Sequence, residues 1–104
     1  MNITAAPESL SPKAPGETVF TGVDFKRLTA TPSAPVVTAT RFAGAADPTP
    51  EAIISGAASV NGSIVVQKIV GGVSGCTYML RFQCSAPDGS VFVEHRTMTV
   101  LDPR

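Results

Sequence analysis

The chain has 104 residues, of which 43% are hydrophobic, and this length accommodates one domain with a modest hydrophobic core. Its 8 basic and 8 acidic side chains cancel without any block of one sign, so neither nucleic acid nor an anionic membrane surface is an expected partner. No signal-like segment begins the chain and no apolar stretch approaches the roughly 20 residues that span a bilayer, so we expect a soluble protein made in the cytoplasm.

Residues 1–17 differ in composition from the rest of the chain. They hold three prolines among small and hydroxylated residues, with almost no large apolar side chain. Such a segment cannot bury enough surface to fold alone, so we interpret it as an extended arm before a folded domain at 18–104. An arm of this kind can lie along a sheet edge or in a groove. The candidate interface residues of the arm and the following strand are Pro7, Leu10, Pro12, Pro15, Phe20 and Phe25, and burial in the core is the alternative for the two phenylalanines.

After the arm, the sequence predicts short strands separated by turn residues. The second of these strands is rich in β-branched residues and is followed by a loop at 43–50 that contains glycine and proline. A tight turn is expected at Asn61-Gly62. The candidate strands of this half cover residues 18–23, 35–42, 52–55 and 63–70, and residues 24–28 either continue the first strand or form a turn.

The clearest pattern lies between Cys76 and Ser85, where apolar and polar residues alternate. A period of two is typical of a strand with one buried face. The turn residues Asp88 and Gly89 and a second extended run at 91–100 follow, which predicts an antiparallel hairpin. With the earlier strands this gives six or seven strands and no helical pattern. We therefore predict an all-β, immunoglobulin-like antiparallel β-sandwich.

The two cysteines occupy positions of this strand whose side chains are expected to point to its buried face. Cys76 and Cys84 are eight residues apart, so their Cα atoms should be about 26 Å apart. A disulfide needs roughly 4.4 to 6.8 Å, so we expect two buried free thiols. A metal site would need further ligands at short spacing, and His95 is the only histidine. We expect no metal and no cofactor.

Three glycines precede the alternating strand. Gly71 and Gly72 allow the chain to reverse, and Gly75 allows a close approach of the backbone, so we interpret all three as specifying a hairpin. A phosphate-binding role is disfavoured because no helix N-terminus follows them. Tyr78 is expected to bury its ring while its hydroxyl bonds the backbone, like the tyrosine that pins a sheet corner in immunoglobulin-like folds.

The sequence offers few residues that could act together in catalysis. His95 would need a nucleophile and an orienting carboxylate, but its neighbours Glu94 and Arg96 point to the opposite face of the strand. The remaining carboxylates are scattered, without the spacing of a paired acid and base or of a calcium loop. We expect no enzymatic activity.

The run from Gly71 to Tyr78, in the order Gly-Gly-x-x-Gly-x-x-Tyr, carries a resemblance to a known family. With the strand, the Asp88-Gly89 turn and the closing strand that follow, it resembles the C-terminal half of small tailed-phage fiber-tail adaptor or neck-type proteins. Asp24-Phe25 resembles the acidic and aromatic pair of their upstream strand. The similarity covers about residues 17–100, and the arm and the loop at 43–50 depart from it.

This resemblance implies a structural subunit of the virion that is present in many copies at the neck or tail. Its expected partners are other virion proteins (portal, neck or tail, and fiber) and further copies of itself. Two other functions stay open. One is a head-decoration or capsid-cementing protein. The other, ranked lower, is a carbohydrate-binding or adhesion module, which should expose an aromatic platform, whereas this chain has no tryptophan and one tyrosine.

Overall fold

The computed structural model describes residues 8–10 and 12–101. Over these residues the protein is all-β, with seven strands and one short 3-10 helix, Pro50–Ile53. The strands are β1 (Glu8–Ser9), β2 (Val19–Asp24), β3 (Ser33–Gly44), β4 (Ile54–Asn61), β5 (Ile64–Ile69), β6 (Cys76–Ser85) and β7 (Val91–Thr99). In the described part of the chain, no helix has the length and apolar character needed to cross a membrane.

The strands form two sheets. One has the order β1-β7-β6-β3 and is antiparallel except for β1, which runs parallel to β7. The other has the order β2-β5-β4 and is antiparallel throughout. Residues from both sheets form one buried cluster, so the core lies between the sheets. Its largest apolar members include Val65 and Ile69 from the second sheet and Tyr78, Leu80, Phe82 and Met98 from the first. The prediction of an all-β protein is confirmed.

The predicted hairpin at the C-terminal end is formed by β6 and β7. Its register is regular from Thr77 opposite Thr99 to Ser85 opposite Val91. The five inward residues of β6, at alternate positions from Cys76 to Cys84, are all fully buried. In the turn, Gly89 has a φ of 93° and its N–H donates to the carbonyl of Ala86 at 3.0 Å. Both cysteines are free and buried, as predicted.

The middle of the chain differs from the sequence prediction. The segment predicted as a strand at 52–55 begins in the 3-10 helix, and the strand β4 runs on to Asn61. Its register with β5 is irregular between Ser55 and Ser59. The buried side chain of Gln67 stabilises this irregularity, because its Nε2 donates to the carbonyls of Ser55 at 3.0 Å and Gly56 at 3.2 Å. Small residues and an irregular ladder weaken the periodic signal, so the sequence does not reveal β4 in full.

The interpretation of Gly71, Gly72 and Gly75 as a hairpin turn is wrong. β5 and β6 belong to different sheets, so the segment between them is a crossover from one sheet to the other. All three glycines have positive φ values, at 60°, 105° and 89°. Glycine permits these backbone angles but does not determine which strand the chain meets next. Gly75 closes the crossover by donating its N–H to the carbonyl of Val100 at 2.7 Å.

Candidate functional site

Tyr78 ties three segments of the chain together at one end of the sandwich. Its ring is fully buried. Its hydroxyl accepts the N–H of Val73, five residues upstream in the crossover, at 2.8 Å. The same hydroxyl donates to Oδ2 of Asp47 at 2.6 Å. The backbone partner was expected from the sequence, whereas Asp47 lies 31 positions away and no local pattern relates the two residues.

The protonation states of this pair are set by burial and hydrogen bonding. Burial raises the pKa of Tyr78, and the hydrogen bond to Asp47 raises the pKa further. The pKa of Asp47 is lowered, first by the hydrogen bond from Tyr78 and then by the N–H of Thr49, which lies 2.9 Å from Oδ1. At neutral pH the phenol is therefore a donor and the carboxylate a charged acceptor. The arrangement holds a corner of the fold in place.

The described part of the predicted arm lies on the domain's own sheet edge. After β1, the N–H of Leu10 donates to the carbonyl of Thr97 at 2.7 Å. Further along, the N–H of Lys13 donates to the carbonyl of Thr99 at 3.1 Å, and the N–H of Leu101 donates to the carbonyl of Lys13 at 2.9 Å. The described residues 8–10, 12 and 13, here called the N-terminal segment, therefore extend the sheet beside β7 within the same chain.

The side chain of Lys13 connects the N-terminal segment to the crossover by hydrogen bonds. Its side chain is buried, and its Nζ donates to the carbonyls of Gly71 at 2.6 Å and Ala14 at 2.7 Å. Burial lowers the pKa of the ammonium group, and the charge of Glu17 acts in the opposite direction. A single lysine in a polar segment is typical of an exposed side chain, so the sequence gives no signal for this role.

Three of the predicted interface residues meet at one groove between the N-terminal segment and β2. The groove has a volume of about 280 Å³, and Leu10, Pro12, Phe20 and Met98 are among the residues that line it. Phe20 is 69% exposed, so most of its ring is in contact with solvent. Pro15 is half-buried and lies in the turn that follows the segment. Pro7 lies outside the described residues.

Phe25 is not an interface residue, which corrects the prediction. It is only 1% exposed and belongs to the core cluster. Its N–H donates to the carbonyl of Ser63 at 2.9 Å, which extends the ladder between β2 and β5 by one residue. The side chain of Phe25 therefore points to the same inner face as that of Val23, two residues earlier. The chain then turns, with the carbonyl of Phe25 accepting the N–H of Leu28 at 2.8 Å. The turn keeps the ring inside the sandwich.

The polar groups of β7 lie on two opposite faces, as predicted. His95 is exposed and pairs across the sheet with Arg81. Glu94 and Arg96 point to the other face and form an ion pair at 3.2 Å. Among residues 8–10 and 12–101, no three His, Cys, Asp or Glu side chains are grouped so as to hold a metal ion.

Comparison of the sequence with models of known protein families finds no match, and comparison with curated proteins finds no significant match. Function is therefore inferred from the residues and geometry of this chain.

Proposed function

We propose that the protein is a non-enzymatic structural subunit of a bacteriophage virion, located at the neck or tail, where it links the portal or tail to fibers or adjoining proteins. The observation that carries this proposal is the resemblance of residues 71–100 to tailed-phage adaptor proteins. The residues that carry the resemblance have defined structural roles, since Gly72 has a φ of 105° in the crossover and Tyr78 binds Val73 and Asp47.

We also propose that the two sheets have the immunoglobulin-like arrangement. In that fold strands B, E and D form one sheet and strands C, F and G the other. If β2 is taken as strand B, the orders β2-β5-β4 and β3-β6-β7 correspond to B-E-D and C-F-G. Tyr78 stands near the start of β6 and bonds the backbone upstream at Val73, which corresponds to the tyrosine corner of such folds. Strand order and corner together support the assignment.

The surface of the domain suits a subunit that is covered by neighbours. Within the part of the chain that the structure describes, three large apolar side chains are more than half exposed, namely Phe20 at 69%, Val91 at 57% and Phe42 at 51%. They lie on β2, β7 and β3, so more than one side of the domain presents apolar surface. We propose that other virion proteins and further copies of the chain cover these side chains in the particle.

The proposal is tested by locating the protein in purified phage particles. Mass spectrometry should detect it as a component of intact particles, and immunogold labelling should place it at the neck or tail. Labelling spread over the capsid would instead identify a head-decoration or capsid-cementing protein. Absence from purified particles that contain their other structural proteins would refute a virion role.

A carbohydrate-binding module is disfavoured by the position of the aromatic side chains. The ring of Tyr78 is fully buried, and the two most exposed aromatic rings, Phe20 and Phe42, lie on strands of different sheets. A sugar-binding platform uses aromatic rings that share one surface. Binding of the purified protein to a glycan array would favour the carbohydrate-binding function over the virion role.

A further inference from the structure

Four strands lie at sheet edges in the described part of the chain, and three of them are protected against pairing with another chain. Proteins protect edges with prolines, bulges, charges or very short strands. β3 contains Pro35 and two register irregularities, and β4 has an irregular register after Ser55. β1 has only two residues. β2 has none of these features, because all six of its residues pair regularly with β5 and its only charge is Asp24 at its end.

The backbone groups at the open edge of β2 can be assigned from the ladder. Phe25 donates its N–H to the carbonyl of Ser63 across the ladder. Hydrogen-bonded and non-hydrogen-bonded pairs alternate in an antiparallel ladder, so Val23 and Thr21 direct their N–H and C=O groups toward β5. Phe20 and Gly22 direct theirs away from the sheet. Outside the ladder with β5, no backbone hydrogen bond within residues 8–10 and 12–101 involves these two residues.

The outer face of the same edge is apolar and self-complementary in shape. Phe20 projects from this face and is 69% exposed. Gly22 lies two residues after Phe20 on the same face of β2. Because it has no side chain, the surface is low at this point and is flanked by methyl groups. A Cβ atom at Gly22 would lie 2.9 Å from Cγ2 of Ile64 and 3.7 Å from Cγ2 of Val66. One strand thus carries both a protruding aromatic ring and, beside it, an apolar surface without a side chain.

We propose that β2 is a self-pairing edge, at which the β2 strands of two copies pair antiparallel about a two-fold axis through Thr21. In this register Phe20 of each copy lies opposite Gly22 of the partner subunit, and its ring covers the methyl groups that flank that glycine. An aromatic residue across from a glycine is a favourable cross-strand pair. The contact is isologous, so both copies use the same surface. Residues 19–23 carry no charge, so no like charges face each other.

The size of this contact determines when it forms. A stable interface buries about 800 Å² on each partner, and two paired strands of this length bury less. We therefore expect weak association of the isolated protein and pairing where many copies are held close together. The inference rests on the proposed role as a subunit present in many copies, although its test does not use the particle. A negative result in the test below would leave the localisation of the protein in particles unaffected.

Disulfide formation tests the register. With the axis at Thr21, the two copies of residue 21 form a non-hydrogen-bonded pair with Cα atoms about 4.5 Å apart, which suits a disulfide. Thr21→Cys should therefore form a covalent dimer under mild oxidation. Asp24→Cys is the control, because this exposed residue would lie roughly 20 Å from its counterpart in the proposed register, whereas Thr21, which is only 9% exposed, would lie at the axis. The unaltered chain, with its buried Cys76 and Cys84, gives the background level of covalent dimer.

The outcomes are distinct. Dimer formation by Thr21→Cys that clearly exceeds that of Asp24→Cys supports the proposed pairing. Equal rates for the two variants, or no dimer from either, would overturn it.

A second measurement avoids any change at the axis. Sedimentation velocity at increasing concentration should show reversible dimerisation of the unaltered chain. Phe20→Lys should weaken it by about tenfold or more, because the ring no longer covers the partner subunit and a charge occupies the edge. Phe42→Lys makes the same exchange at another exposed ring, on β3, and should leave dimerisation unchanged. Equal effects of the two substitutions, or a monomer at every concentration, would refute the self-pairing edge.

Discussion

The hydroxyl of Tyr78 and the carboxylate of Asp47 form a hydrogen bond of 2.6 Å between residues 31 positions apart. The bond joins the start of β6 to the loop after β3. Because the same oxygen accepts the N–H of Val73, one side-chain atom connects a strand, a loop and the crossover between the sheets. These contacts are tertiary, so their loss should lower the stability of the whole domain.

Tyr78→Phe should lower the free energy of unfolding by about 1 to 3 kcal/mol, because the N–H of Val73 and the carboxylate of Asp47 both lose a partner while the ring stays in place. Urea denaturation followed by circular dichroism measures this change. Asp47→Asn keeps an oxygen acceptor for the phenol, so it should cost less. An unchanged midpoint for Tyr78→Phe would show that the corner does not contribute to stability.

Alkaline titration should report the same corner directly, since Tyr78 is the only tyrosine. Its pKa is raised in the folded state, so its contribution to stability is complete below the unfolded value of about 10 and is lost as the pH rises through the folded value. The ultraviolet absorbance of tyrosinate should therefore appear only as the protein unfolds. The chain in concentrated urea, titrating near the ordinary value, is the control. Ionisation near that value with the fold intact would contradict the prediction.

The parts of the fold that the sequence predicts are those set by local periodicity. The alternation of β6 identifies its buried face, and the positive φ at Gly89 follows from its turn. The bonds that fix the corner and the N-terminal segment join distant residues, with separations of 31 positions for Tyr78 and Asp47 and 58 for Lys13 and Gly71. No short-range pattern encodes such partners, so they emerge only from the three-dimensional structure.

The crossover glycines show the same limit in another way. The sequence assigns Gly71, Gly72 and Gly75 to a hairpin, whereas in the structure they have positive φ and lead from one sheet to the other. The distinction depends on where β6 finds its partners, namely β3 and β7. Pairing across long separations is a property of the whole chain.

Substitution of two adjacent glycines separates backbone strain from steric contact. Gly71 has a φ of 60° with no atom within 4 Å of an added Cβ, whereas Gly72 has a φ of 105° and its Cβ would lie 2.7 Å from Cγ2 of Val100. Gly71→Ala should therefore cost about 1 to 2 kcal/mol for the left-handed conformation alone. Gly72→Ala should cost more, because a clash with a buried side chain is added and the backbone angle is less favourable.

Thermal unfolding of the two alanine variants measures that difference in parallel. Equal melting temperatures would mean that Val100 moves aside at no cost.

Lys13→Met should loosen the N-terminal segment while the core stays intact. Methionine retains the length and apolar character of the lysine stem but removes the two hydrogen bonds to the carbonyls of Gly71 and Ala14. Hydrogen bonds from a charged group each stabilise by about 1.5 to 3 kcal/mol, and relief of the buried charge offsets part of that loss. The net effect should fall on the segment beside β7, because the lost bonds join it to the crossover.

Hydrogen exchange measures this local effect. In the Lys13→Met variant the N–H of Leu10, which bonds the carbonyl of Thr97, should exchange faster, while the amides of β6 keep their protection. Lys68→Met removes an exposed lysine of β5 and should leave both regions unchanged. If the N–H of Leu10 exchanges at the same rate in both variants, the backbone bonds to β7 hold the segment by themselves and the buried ammonium group adds nothing. Faster exchange of the N–H of Leu10 in Lys13→Met alone would show that the side chain of Lys13 holds the N-terminal segment against the crossover between the sheets.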